Sequence, residues 1–206
     1  MTWYHYLAAG AFLLCLISLL SHLIRLVRLG APNDYSRRRG NVGSAIVFSF
    51  LGAMSPAKKE SAYLHLPTYT AGLLYHIGTF VSIALFFLLF FNIQPAAWIR
   101  WGVIGLLAVS GLSGVGILVK RTTVKKLRLL SSPDDYISNI LVTVFQFLTL
   151  VLLIQEAFAP FYFLGASLLL LYFPLGKLKH ALYFFAARYH LGFFYGWRGI
   201  WPARKS

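Results

Sequence analysis

The sequence predicts an all-α integral membrane protein: a bundle of five transmembrane helices with the N-terminus outside and the C-terminus cytoplasmic. Three observations carry this reading. Apolar residues fill 59% of the 206 positions and charged residues only 12%, so a soluble globule would lack the polar surface to cover its core. Five stretches approach the ~20 apolar residues needed to cross a hydrocarbon layer of about 30 Å. Finally, 18 of the 19 Lys and Arg residues fall on one side of those stretches.

The first span, about 6–26, follows MTWYHYLAAG. That start has neither a basic n-region nor a small-residue cleavage site, so it reads as a retained span and not a signal peptide. The others are expected at about 68–91, 98–119, 136–157 and 161–189, the last continuing past Pro174. Asn41–Met54 is too short and too rich in Gly and Ser to span, and is expected at the interface or as a re-entrant piece. Cations cluster between spans one and two (Arg25, Arg28, Arg37, Arg38, Arg39, Lys58, Lys59), between three and four (Lys120, Arg121, Lys125, Lys126, Arg128), and from the end of span five onward (Lys177, Lys179, Arg188, Arg198, Arg204, Lys205). Only Arg100 lies near the opposite face. The positive-inside rule sets the orientation, and Trp3, Trp98 and Trp101 then form the outer aromatic belt, with Trp197 and Trp201 near the inner one. Cations distributed in this way are topology signals, which argues against nucleic-acid binding despite the net charge of +14.

Composition also limits the chemistry. The single Cys15 excludes a disulfide framework, a CxxCH haem attachment and a multi-cysteine iron–sulfur site. Only five carboxylates are present, and two of them, Asp134 and Asp135, are adjacent. They follow Ser132 and Pro133, a helix N-cap and a first helical residue, so they suit the positive end of a helix dipole better than catalysis. With no phosphate-binding glycine loop and no nucleophile–base pair, a small membrane acyl or phosphoryl transferase is disfavoured.

The histidines are the main chemical resource. His76 lies within span two, about eight residues or ~12 Å from its basic end. An ionisable residue at that depth marks a functional site by default. It either ligates a haem iron together with an imidazole from a facing helix or hydrogen-bonds across helices. Gly72 and Gly78 flank it and thin the helix where a flat macrocycle would lie, although small residues also serve helix packing. His180, at the basic end of span five, is the candidate second axial ligand, with Lys177 and Lys179 placed to meet haem propionates. His22, His65 and His190 are alternative ligands, and His5 is expected at the outer interface.

Five spans, Tyr75-His-Ile-Gly78 in span two, Ser132-Pro-Asp-Asp-Tyr136 opening span four, Pro174-Leu-Gly-Lys-Leu-Lys-His180 and then Ala187-Arg-Tyr189 together give the chain a family resemblance. It resembles the respiratory nitrate reductase gamma-subunit family of membrane cytochromes b, which includes subunits of sulfate-reducer transmembrane redox complexes. In the nitrate reductase form, span two carries two histidines ten residues apart and span five two histidines eighteen apart, together binding two stacked haems. His76 matches the first of span two and His180 the second of span five, the pair that ligates the haem nearer the cytoplasm. At the other two positions stand Phe86 and Tyr162, so the resemblance implies one haem b and no ligand pair for the outer one.

What the resemblance implies is a haem b membrane-anchor subunit of a respiratory oxidoreductase in the prokaryotic inner (cytoplasmic) membrane, an electron-transfer subunit and not a complete enzyme. It would pass electrons between membrane quinone, menaquinone or ubiquinone, and cytoplasmic iron–sulfur and catalytic subunits. A haem-free anchor or assembly subunit of such a complex is the alternative. The basic, aromatic segment 192–206 is expected to be a cytoplasmic tail that docks the partner or anchors at the lipid interface.

Overall fold

The computed structural model describes residues 2–30, 35–55 and 65–202. It is all-helical, with no strand among the described residues. The helices are α1 (Trp3–Arg28), α2 (Val42–Phe50), α3 (Leu66–Phe90), α4 (Ala97–Thr123), α5 (Lys125–Leu130), α6 (Pro133–Ile154), α7 (Ala159–Tyr172) and α8 (His180–Trp197), with short 3₁₀ turns at Gly52–Met54, Glu156–Phe158 and Lys177–Lys179. Helices α1, α3, α4 and α6 are long and apolar enough to cross a membrane. They correspond to the first four expected spans and overrun several of their ends by a few residues.

The fifth expected span, 161–189, is not one helix. Pro174 has no N–H to continue the ladder, and the N–H groups of Leu175 and Gly176 both close onto Tyr172 O at 3.0 Å, which ends α7. Fourteen residues rise only about 21 Å, so α7 is too short to cross alone and makes a span only together with α8. The chain therefore has four or five candidate spans. Segment 41–54 forms α2 and one 3₁₀ turn, also too short to cross; Asn41 caps α2, its Oδ1 accepting the Ser44 N–H at 3.1 Å. Residues 192–197 of the expected tail are the last turns of α8, and 203–206 lie outside the described residues.

Two compact units emerge. The first comprises Met1–Ser18 and Pro67–Leu178, the second Leu19–Leu66 and Lys179–Ser206. In the first unit, glycines let helices approach closely. A Cβ on Gly111 of α4 would strike the Phe147 ring at 2.7 Å, and one on Gly114 would meet Thr143 Oγ1 at 2.6 Å and the Tyr75 ring at 2.5 Å. At the far end of α3 the N–H groups of Asn92 and Ile93 turn back to Leu89 O and Leu88 O. Asn92 takes the left-handed conformation (φ 57°) that such a helix end requires and that Asn tolerates.

Helix α6 starts as its sequence dictates. Ser132 is the N-cap and Pro133 the first helical residue, while the Asp135 carboxylate reaches back to the Ser132 N–H at 2.9 Å. The same carboxylate receives Arg121 of α4 at 2.9 Å and Lys177 at 2.7 Å. Asp134 accepts from Ser138 and from the Tyr172 hydroxyl at the end of α7. The paired aspartates thus bind α4, α6 and the α7 terminus at one end of the unit, which is a structural role.

In the second unit α2 lies along α8. A Cβ on Gly192 would meet Ile46 Cα, and one on Gly196 would meet Ala45 Cβ, each at 2.5 Å, so only glycine permits this spacing.

Two glycines on α3 test the described rotation of that helix. A Cβ on Gly78 would collide with the Ser110 side chain, whereas one on Gly72 meets nothing within 4 Å. Gly78→Ala is expected to cost about 1–3 kcal/mol in detergent unfolding titrations, and Gly72→Ala nothing. Equal losses would contradict the placement of these two faces.

Candidate functional site

The site is built around the turn Tyr75–Gly78 of α3. Tyr75 faces into the first unit, where its hydroxyl donates to Asn139 O at 3.0 Å and lies 3.1 Å from Thr143 Oγ1. Its carbonyl accepts from Thr79 Oγ1 (2.8 Å), Gln146 Nε2 (3.1 Å) and Ser110 Oγ (3.3 Å). Gln146 also donates to Thr79 Oγ1 at 2.8 Å and accepts from Ser110 at 2.7 Å. Three helices are thereby joined by one amide side chain, itself fully buried. Buried polar groups gain most when every member is paired, as here.

This network fixes which way His76 faces. Successive helical residues are about 100° apart, so with Tyr75 turned inward, His76 joins Leu73, Ile77 and Phe80 on the exposed stripe of α3. Gly72 stands one turn before it on the same stripe, with open space beside it. Gly78 is turned the other way and packs on Ser110, so the two flanking glycines have different roles. His76 sits ten residues, or about 15 Å, from the start of α3.

The other expected ligands lie as follows. His180 opens α8 in the second unit and is exposed, as is His190 further along that helix. His65 is exposed in the turn before α3. In the second unit, His22 Nδ1 lies 3.3 Å from the Tyr183 hydroxyl, which brings His22 to within about one turn of His180 along α8. Lys179 ends the 3₁₀ turn that precedes α8, and Lys177, expected at a propionate, is engaged by Asp135.

At the cation-poor end of the first unit the aromatic residues are closely packed. Phe86 and Tyr162, which stand where the resembled family has its outer haem ligands, are both core residues; Tyr162 stacks on Phe145 at 5.7 Å and Phe86 meets Phe163 edge-on. His5 is only 5% exposed and lies 4.5 Å from the Phe163 ring centroid. The Thr2 N–H and hydroxyl both reach His5 Nδ1, at 3.4 and 2.8 Å. The amide can only donate, so Nδ1 accepts and the proton sits on Nε2, which has no hydrogen-bond partner among the described residues. His5 lines a cleft of about 280 Å³ with Tyr4, Asn92, Gln94, Glu156 and Phe163.

A bis-imidazole haem site requires two neutral imidazoles with accessible nitrogens and room for a flat ring. His76 and His180 are both exposed residues and Gly72 has open space beside it on the His76 stripe, so each residue is of a type and placement that suits such a group within its own unit. Among the described residues no cluster of three or more His, Cys, Asp or Glu side chains forms a metal-ion site. No family model, curated protein or solved structure matches the chain.

The Gln146 network and the burial of His5 were not anticipated from the sequence. A lone amide in the middle of span four was the available signal for the first, since polar groups within spans tend to bond across helices. For His5 the test is His5→Phe compared with Thr2→Val: the first removes the partnerless buried donor together with the Nδ1 acceptor, the second removes only the Thr2 hydroxyl bond to Nδ1. Relative to Thr2→Val, the thermal stability of His5→Phe should hold or rise by about 1 kcal/mol. A clear loss relative to Thr2→Val would mean that Nε2 is satisfied by something bound in the cleft.

Proposed function

We propose that this chain is a haem b membrane-anchor subunit of a respiratory oxidoreductase in a prokaryotic cytoplasmic membrane, its basic side inward, carrying electrons between membrane quinone and a cytoplasmic iron–sulfur or catalytic partner. The observation that carries the reading is His76: an imidazole deep in an apolar helix, held on the open face by hydrogen bonds on the opposite face.

Haem would supply the one-electron redox step. The chain's residues supply the rest. His76 and His180 would hold the iron as neutral imidazoles, the tautomer of each set by what its second ring nitrogen donates to. Lys179, and Lys177 where it shares its three donors with Asp135, would meet the haem carboxylates at the basic side. Aromatic packing of Phe86 and Tyr162 at the opposite end supports one haem over two. The haem-free anchor is the second reading, favoured by one observation: Asp135 already engages Lys177 and completes the charged corner without a cofactor.

A reduced-minus-oxidised spectrum of the purified chain, with haem quantified per polypeptide, separates the two. One b-type haem per chain is expected, lost by about tenfold or more in His76→Ala and in His180→Ala and retained in His5→Phe. A haem-free but well-folded chain that still assembles with redox partners would establish the second reading. Retention in His76→Ala would move the ligand to His22, His65 or His190.

A further inference from the structure

The second unit brings together residues that are about 160 positions apart. The Arg39 N–H donates to Trp197 O at 2.8 Å, and the Trp197 indole N–H donates to Ser36 O at 2.8 Å. A Cβ on Gly199 would meet Arg39 O at 3.0 Å, so the two strands of backbone are in contact there. Arg37, Arg38 and Arg39 are therefore pinned, exposed, against the C-terminal turn of α8, where Arg198 follows.

Two of these guanidinium groups are already ordered on aromatic rings. Arg38 lies 5.9 Å from the centroid of Trp197, with its Nε–H on Gly40 O, and Arg198 lies 3.6 Å over Phe194. Beside them Trp201 packs between Tyr195, at 4.6 Å, and Phe48 of α2, at 5.5 Å, while Ile200 is half exposed. No carboxylate side chain occurs among the described residues of this unit; Asp34, the nearest in sequence, lies outside them.

From this arrangement we infer that the Arg37–Arg39 triplet, seated on the end of α8, is a binding site for the headgroup of an anionic phospholipid. A guanidinium fork matches the two oxygens of a phosphodiester, and a fork held on a ring loses less freedom on binding than a lysine does. The half-buried tryptophans next to the arginines, with Phe194 and Ile200 exposed beside them, suit the glycerol and acyl part of the same molecule, as interfacial aromatic residues do. A lipid satisfies both halves of the patch; free phosphate satisfies only the first. The inference is independent of haem.

The test uses the full chain in neutral detergent, titrated with phosphatidylglycerol or phosphatidylcholine and followed by native mass spectrometry and melting temperature. Phosphatidylglycerol should bind and raise the melting temperature, phosphatidylcholine should do neither, and millimolar inorganic phosphate should not reproduce the effect. Arg37→Gln/Arg38→Gln/Arg39→Gln should weaken phosphatidylglycerol binding by about tenfold or more, while the charge-matched Lys125→Gln/Lys126→Gln/Arg128→Gln should not. The pinning bonds use the Arg39 backbone and Trp197, so they survive the triple substitution; the all-lysine triplet, which keeps the charge, checks folding and should bind with intermediate affinity. Equal binding of the two lipids, equal loss in the Lys125/Lys126/Arg128 control, an equal shift from phosphate alone, or a triple variant that binds phosphatidylglycerol normally would each overturn the assignment.

Discussion

The hydrogen bonds from Gln146 and Ser110 to the carbonyl of Tyr75 are the constraint on which the rest of the first unit depends. Within lipid, helices gain little from burying apolar surface against one another, so packing of small residues and interhelical polar contacts decide their rotation. Here both act at the same level. Gly78 and Gly114 let α3, α4 and α6 come close, and the buried amide then finds every partner it needs. Each such bond contributes only about 0.5–2 kcal/mol in a membrane, but turning α3 would break several at once. The outward direction of His76 is thus inherited from its neighbour Tyr75, not chosen by His76 itself.

Much of this was legible in the sequence, in proportion to how local its physical cause is. The four long helices follow from apolar length alone, and the start of α6 from Ser132, Pro133 and the two aspartates. Pro174 signalled a disturbance, but not that the helix would end at Tyr172, because the closure depends on the N–H groups of Leu175 and Gly176 turning back onto one carbonyl. The stripe that His76 occupies was not legible, since it is set by Ser110 and Gln146 from two other helices. The burial of His5 was not legible either, since it is decided by Phe90 and Phe163 from two other helices.

Flanking glycines show why spacing needs a direction. Gly72 and Gly78 look equivalent as small residues around a histidine, yet four residues keep one face and two residues nearly reverse it. One glycine therefore leaves space beside His76, and the other is consumed by packing on Ser110.

Charge is apportioned by the same economy of carboxylates. With five in the chain, the two that are adjacent are used at one corner, where Asp135 takes up Arg121 and Lys177 and Asp134 takes up Tyr172. Such a carboxylate does two things at once: it ends the need for an N-cap donor partner at Ser132 and it neutralises cations beside an apolar span. The arginines at 37–39 receive no such partner from the described residues of their own unit and remain a concentrated positive surface beside tryptophans. Uncompensated charge at a membrane edge is what both the positive-inside rule and attraction to anionic lipid act upon. The two aspartates at the head of α6 thus neutralise one basic corner, while among the described residues the Arg37–Arg39 corner of the second unit has no carboxylate beside it.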